Sequence, residues 1–270
     1  MSEHSFVYSL CSSSKGNATY VGNRSSGILI DAGLSLRQLK RHLSLQEIDP
    51  CAIQAIFITH EHSDHIQGLC AIADLLKVPV YGSRETLAEL VKKGCLPPGS
   101  TAMEISRKTA EIAGMAVHAF HTPHDSARSL GYHIEFCGGS SSGKTACICT
   151  DLGCVTDEVN ENLEGCDFVL LESNYDEAML ETGSYPPFLK RRIFSDRGHL
   201  ANCDCADTLI RLFNSGTTKF LLGHLSEQNN RPEIAYATSL AAVSKTGAVL
   251  GEDYILSVAR RQNIGEIIEL

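Results

Sequence analysis

Between residues 60 and 65 the chain reads HEHSDH, directly after the apolar run AIQAIFIT (52–59). His60, His62, Asp64 and His65 thus offer three imidazoles and a carboxylate within six residues. Such a group can be a solvated loop, a hydrogen-bonded turn or a metal site. A chance H-x-H-x-D-H in a chain of this composition is on the order of one in a thousand, which sets it apart from a lone histidine. Neighbouring side chains of a loop diverge, so His60 and His62 can reach one cation while Asp64 and His65 reach a second. A segment this short cannot complete two coordination spheres, and further ligands must arrive from other strand ends.

Three stretches supply them. FHTPHDS (120–126) follows the strand-like MAVHAF, CTDLG (149–153) follows ACI, and LLGHLS (221–226) continues KFLL. Each places a metal-competent side chain just beyond a strand, as His124, Asp151 and His224. Any one alone reads as an ordinary loop residue; three in order beside HxHxDH favour metal.

These residues need strands to carry them. FVYSL (6–10), TYV (19–21), GILID (27–31), AIFIT, VPVYG, MAVHAF, GYHIEFC, KTACICTD, DFVLLE, KFLLGH and YILSVA read as strands. LRQLKRHL, with leucines at 36, 39 and 43, reads as a helix, as do GLCAIADLLK, RETLAELVKKG, TDEVNENL, PPFLKRRIF, CDCADTLIRLF and PEIAYATSLAAVSK. No linker rich in Pro, Gly or Ser divides the chain, so residues 1–270 are expected to form one α/β domain of two similar halves, sheets inside and helices outside. GGSSSGKT (138–145) matches the phosphate-loop pattern, but the run after Lys144 is β-rich rather than helical, which predicts a hairpin tip.

Composition narrows the classes. No uncharged run approaches the roughly 20 residues of a membrane span, and the start MSEHSFVYSL lacks a leader pattern, so a cytoplasmic protein without a membrane partner is expected. Eleven irregularly spaced cysteines suit reduced thiols, and neither Cys147/Cys149 nor Cys203/Cys205 has the second pair a zinc knuckle needs. The net charge of −9 shows no basic excess of the kind a protein gripping many phosphates usually carries. Local clusters at Lys92-Lys93, Arg107-Lys108 and Lys190-Arg191-Arg192, the last within SYPPFLKRR, read as solvated helix faces.

The order Asp31 in ILIDAGLS, HxHxDH, His124, Asp151 and His224 resembles the metallo-β-lactamase fold, an αββα sandwich of two mixed β-sheets flanked by helices. The resemblance implies that His60, His62 and His124 hold one divalent ion, that Asp64, His65 and His224 hold another, and that Asp151 bridges them. Asp31 would support the histidine loop. Zn, Mn or Fe suits such ligands. A water shared by two cations would act as the nucleophile of a hydrolase. His62 in place of Glu argues against the di-iron redox branch.

Substrate must be read from other residues. LLESNYD (170–176) ends a strand on Glu172, and RGHLAN (197–202) supplies His199. The resemblance to nucleases of this fold implies a dyad in which His199, partnered by Glu172, protonates a departing oxygen; Asp64 is counted with these catalytic residues as well as with the ligands. A histidine after glycine can equally cap a helix. Ser226, Asn229, Asn230 and Tyr175 are candidate phosphate holders, although asparagines also form turns. SSSKGNATYV, ITHEHSDHIQGL, GSYPPFLKRRI, GHLAN and LLGHLSEQNN together resemble the YycJ/WalJ group, which implies a 5′-to-3′ exonuclease on double-stranded DNA, with DNA favoured over RNA. Two positions depart from that group's pattern, Tyr175 where it usually has His and Ala201 where it has Ser. A hydrolase of a small phosphodiester, ester or thioester stays open, as does a metal-stabilised protein without turnover.

Overall fold

The structure is a computed structural model and describes residues 4–106, 109–263 and 266–270. Arg107-Lys108 lies outside the described residues. The first half builds β1 (Phe6–Ser13), β2 (Gly16–Gly22), β3 (Gly27–Ile30), β4 (Ile53–Phe57), β5 (Val80–Gly82) and β6 (Ala102–Glu104), hydrogen-bonded in that order. The second half builds β7 (Thr109–Ile112), β8 (Met115–His121), β9 (Leu130–Phe136), β10 (Thr145–Cys149), β11 (Phe168–Glu172), β12 (Lys219–Gly223) and β13 (Ile255–Val258), again in sequence order. A terminal strand, β14 (Ile268–Glu269), returns antiparallel to β1. Each sheet therefore has seven strands among the described residues. Both begin as antiparallel meanders and finish in parallel strands, β3 to β6 and β10 to β13.

Alternating residues sort into three apolar layers. Val7, Ile28, Ile30 and Phe57 meet Val117, Ile134, Ile148 and Leu170 between the sheets. On the outer face of the first sheet, Tyr8, Leu29 and Ile56 pack under α1 (Leu36–Ser44), α3 (Leu69–Leu76) and α4 (Arg84–Lys92). On the outer face of the second, Cys147, Cys149, Val169 and Leu222 pack under α5 (Asp157–Leu163), α8 (Asn202–Asn214) and α9 (Pro232–Ser244). Strands covered on both faces explain the nearly unbroken apolar runs in the sequence. Three short helices remain, α2 (Ser63–Ile66), α6 (Glu177–Thr182) and α7 (Pro187–Ile193). No helix among the described residues is long and apolar enough to cross a membrane.

The expected elements are present with small shifts of boundary. Residues 138–145 form a connection between antiparallel β9 and β10, holding one turn of 3-10 helix at Gly139–Ser141, which disposes of the phosphate-loop pattern. β6, β7, β14, α2 and α6 were not anticipated. β6 is exposed throughout, and α6 spans only six residues, too short for a helical period to declare itself.

Parallel strands deliver their C-terminal ends to one edge, where open α/β folds place their sites. Asp31, Asp151 and His224 follow β3, β10 and β12 there, each in the left-handed region with φ of 60°, 59° and 54°. Such backbone is uncommon for residues other than glycine and clusters at functional sites. Beneath the edge, Tyr132 donates from its hydroxyl to the carbonyl of Ile58 (2.6 Å), and Phe57 stacks on Tyr81. This joins the sheets under the histidine loop.

The loop after β3 is clamped against α2: Ala32 N donates to His65 O (2.8 Å) and Gly33 N to Asn17 O (2.8 Å). A Cβ at Gly33 would lie 1.7 Å from the carbonyl oxygen of Asp64 and 2.5 Å from Asn17 N, both main-chain atoms that cannot swing away. Gly33→Ala is therefore expected to lower stability by about 3 kcal/mol through overpacking. Urea unfolding of the two proteins measures it, and a change below about 0.5 kcal/mol would show that the loops separate freely.

Candidate metal centre

His60 ends the strand run and His62 opens the single turn of α2, which carries Asp64 and His65. The turn is why neighbours in sequence diverge. Potential ligand atoms of His60, His62 and His124 lie within 4.8 Å of one another, as do those of Asp64, His65 and His224. His60, His65 and Asp151 form a third such group, which puts Asp151 beside both of the others. Asp151 Oδ2 is 3.2 Å from His65 Nε2, and its Oδ1 is 3.6 Å from His124 Nε2 and 3.5 Å from His224 Nδ1.

Outer hydrogen bonds assign the proton on most of these rings. His65 Nδ1 donates to Asp31 Oδ2 (2.7 Å), His124 Nδ1 to the carbonyl of Gly198 (2.9 Å), and His224 Nδ1 to Glu172 Oε1 (2.7 Å). His60 Nδ1 donates to the Thr59 hydroxyl (3.0 Å), which in turn donates to Asp31. In all four rings Nε2 is then the nitrogen turned inward, able to offer a lone pair to a cation once any proton it holds has been displaced. Asn17 stands beside this edge, its Nδ2 donating to the carbonyl of Ser13 (2.9 Å) and to Asp64 Oδ2 (3.1 Å) and lying 3.0 Å from His65 Nε2.

The buried atoms ask for a cation. His60 Nε2 and Asp151 Oδ2 are buried without a hydrogen-bond partner, a costly state for a polar atom. His62 Nδ1 and His124 Nε2 face each other at 3.3 Å, an approach that an ion between two lone pairs accounts for. Burial holds His60, His62 and His124 below the ordinary histidine range, so they are neutral donors. His65 and His224 are driven well above that range: burial opposes their charge, but Asp31, Asp151 and Asp64 outweigh it at His65, and Asp151, Asp64 and Glu172 at His224. Carboxylates that hold protons on imidazoles without a metal release them when a metal binds. The donor set, neutral imidazole with carboxylate and no thiolate, fits a divalent ion of the Zn, Mn or Fe kind.

Asp151, Glu172, His199 and His224 form a further group of the same dimensions. Glu172 is fully buried and saturated: Oε1 accepts from His199 Nδ1 (2.8 Å) and His224 Nδ1, while Oε2 accepts from the amides of Leu152 (3.0 Å) and Leu200 (3.3 Å). Those donors fill its acceptor capacity, so Glu172 orients two histidines rather than binding metal. His199, with Nδ1 on Glu172, leaves Nε2 free, and its side chain is 16% exposed where His224 is 2% exposed.

A family model described as a beta-lactamase superfamily domain matches residues 27–225. The chain is 33% identical over 258 residues to exodeoxyribonuclease WalJ of Streptococcus pneumoniae serotype 2, covering 94% of each chain, and 32% identical over 248 residues to exodeoxyribonuclease YycJ of Bacillus anthracis, covering 91% of each. The chain belongs to the WalJ/YycJ family of the metallo-β-lactamase superfamily. Solved structures share its fold. YhfI from Bacillus subtilis superposes with a TM-score of 0.70 at 13% identity, over 99% of this chain and 100% of that one. Zn²⁺-bound PqqB from Methylobacterium extorquens gives 0.70 at 16% identity, over 98% and 100%. This WalJ/YycJ family member is thus a metallo-β-lactamase-fold hydrolase with a divalent-metal site.

The other candidates are placed differently. Ser226 accepts from Asn229 N (3.2 Å), and Asn229 keeps a buried, unpartnered Nδ2. Asn230 is committed: Nδ2 donates to the carbonyls of Ser173 and Asn174 and to Asn202 Oδ1, and Oδ1 accepts from Asn202 and Arg231, so no donor is left for phosphate. Tyr175 is buried in an apolar cluster with Leu180, Ile193 and Ala201, edge-on to Phe194. It lines a cavity of about 340 Å³ that carries three carboxylates, Asp196, Asp204 and Asp207, and one cation, Arg211. Asn230 and Tyr175 are thus engaged in the scaffold, one in a polar network and the other in an apolar cluster. Asn17, Thr59 and Asn174, whose Nδ2 donates to the carbonyl of His224 (2.7 Å), were not singled out. Their only sequence signal is proximity to strand ends.

Replacing Asp31 by Asn keeps the size of the side chain but removes the charge that fixes His65 and, through Thr59, His60. Asp31→Asn is expected to weaken metal affinity by about 10–100-fold, read by competitive titration with a chelating dye; unchanged affinity would mean that the supporting carboxylate is dispensable.

Proposed function

We propose that the chain is a DNA exonuclease working from 5′ to 3′ by phosphodiester hydrolysis at a two-ion centre. His60, His62 and His124 would hold one ion and Asp64, His65 and His224 the other, with Asp151 between. When bound, the ions supply Lewis acidity and a water acidic enough to attack near neutral pH. The names of the relatives, both exodeoxyribonucleases, support DNA as substrate.

The observation that carries the reading is the Glu172 carboxylate gripping His199 and His224 at once (2.8 and 2.7 Å). His224 is one of the ligands proposed above, and His199, 16% exposed beside it, keeps Nε2 clear of the carboxylate. A phosphodiester's departing alkoxide is a strong base and needs a proton, which His199 is set to donate from Nε2 while Glu172 keeps the ring aimed. Ser226 and Asn229 are the neutral groups retained as phosphate holders. A thiolate or a nitrophenolate leaves without such help, so a dyad of this kind favours an alkoxide leaving group over a thioester.

The test is hydrolysis of 5′- and 3′-end-labelled double-stranded DNA by Mn²⁺- or Zn²⁺-loaded protein, alongside bis(p-nitrophenyl) phosphate. Asp151→Ala is expected to abolish both activities. His199→Ala is expected to slow DNA cleavage by about 10²–10⁴-fold and to affect the nitrophenyl diester far less. Equal losses on the two substrates would contradict the proton-donor role, and wild-type protein that cleaves only the small diester would replace the exonuclease with a small-phosphodiester hydrolase.

A further inference from the structure

The cationic stretch Lys190-Arg191-Arg192 does not lie on a remote solvated face. It forms the last half of α7, and the chain runs from there straight into the site: His199 N donates to the carbonyl of Ile193 (3.1 Å), and the carbonyl of Gly198 accepts from the ligand His124 (2.9 Å). A Cβ at Gly198 would meet the carbonyl oxygens of Ile193 (2.1 Å) and Arg192 (2.3 Å), so only glycine lets the chain fold back this tightly. Arg192 forks onto Asp125, with Nη2 3.0 Å from Oδ1 and a second bond from Nε to Oδ2. Asp125 Oδ1 is in turn 3.4 Å from Nε2 of His124. The guanidinium is 46% exposed at the rim of the centre.

Phe188 stands one turn before Arg192, so the two share a helix face with Arg191 at the adjoining i+3 position. Phe188 is 66% exposed and makes no ring contact among the described residues, unlike Phe194, which packs on Tyr175. Arg191 is exposed and has no ion-pair partner among the described residues, whereas Lys190 reaches the carbonyl of Glu181 (2.7 Å). In a chain of net charge −9, an aromatic ring without a ring contact and an arginine without an ion-pair partner, on the helix whose Arg192 reaches Asp125 beside His124, form a local exception among the described residues. Exposed aromatic with arginine is the composition that binds a nucleic-acid strand, ring on base and guanidinium on phosphate.

We infer that α7 is the holding element for the strand end that enters the centre, with Phe188 stacked on a base and Arg191 on its phosphate, while Arg192, forked onto Asp125, fixes the helix beside the centre. This rests on the nuclease reading and adds to it the residues that grip the substrate. Continuity with the metal ligands, through Arg192, Asp125 and His124 and through Gly198, favours the strand, which the nuclease reading brings to that centre, over a second copy of this chain.

The experiment compares initial rates of DNA hydrolysis by the Mn²⁺-loaded wild type, Phe188→Ala, Arg191→Ala, the double variant and Phe188→Trp, with oligomeric state and thermal stability measured beside them. The double variant should raise KM for DNA by about tenfold or more, with the loss concentrated in KM rather than kcat. Arg191→Ala should make the salt dependence of KM shallower by roughly one ion. Phe188→Trp should restore KM toward wild type, which a merely structural role would not require. KM and salt dependence equal to wild type in a protein that digests DNA would overturn the assignment while leaving the nuclease reading intact. A shift in oligomeric state without a change in KM would make the patch a self-contact and overturn it too. A wild type that leaves DNA uncut removes both.

Discussion

Asp31, Asp64, Asp151 and Glu172 are gathered around five inward-facing imidazoles, and Asp31, Asp151 and Glu172 are almost wholly buried. So many carboxylates in low dielectric repel one another and lose hydration, and the arrangement holds only if positive charge is bound among them. Without a metal that charge comes from protons, which explains why His65 and His224 are pushed far above their ordinary range, while at His60 and His124 burial outweighs the pull of Asp151 and holds them below it. With a metal, the same carboxylates either ligate or hold the outer nitrogen of a ligating ring. Electrostatic need and ligand geometry are thus one constraint.

The rest of the molecule meets that constraint by stiffness. Two sheets, joined through Tyr132 and packed on both faces, bring parallel strand ends to one edge. Left-handed backbone at Asp31, Asp151 and His224 turns those side chains inward. Gly33 and Gly198 then allow main chain to approach main chain on either side of the ligands, the first locking α2 and the second fastening α7 to His124 and His199. Glu172 couples the two functions of the site, since one oxygen serves both the ligand His224 and His199.

The sandwich and the gathering of histidines and carboxylates at its edge were legible because both leave marks that are local in sequence. Strands buried on both faces read as apolar runs, and ligands cluster as HxHxDH or stand just beyond such runs. What was not legible depends on approach across the fold. Asn17 stands at the start of β2 in a stretch whose serines and glycine read as a turn, and nothing there reveals that it reaches Asp64 and His65, 47 and 48 residues away. Asn230 and Tyr175 have the chemistry of phosphate holders, yet one is consumed by a polar network and the other by an apolar cluster. Lys190-Arg191-Arg192 read as a solvated face because the Asp125 partner is 67 residues distant from Arg192.

Anomalous diffraction from crystals of the Mn²⁺- or Zn²⁺-loaded protein tests the two-ion centre most directly. The account predicts two peaks roughly 3.5–4 Å apart, one among His60 Nε2, His62 Nδ1 and His124 Nε2, the other among Asp64, His65 Nε2 and His224 Nε2, with Asp151 between them. A single peak, or a peak seated on Glu172 and His199, would contradict it.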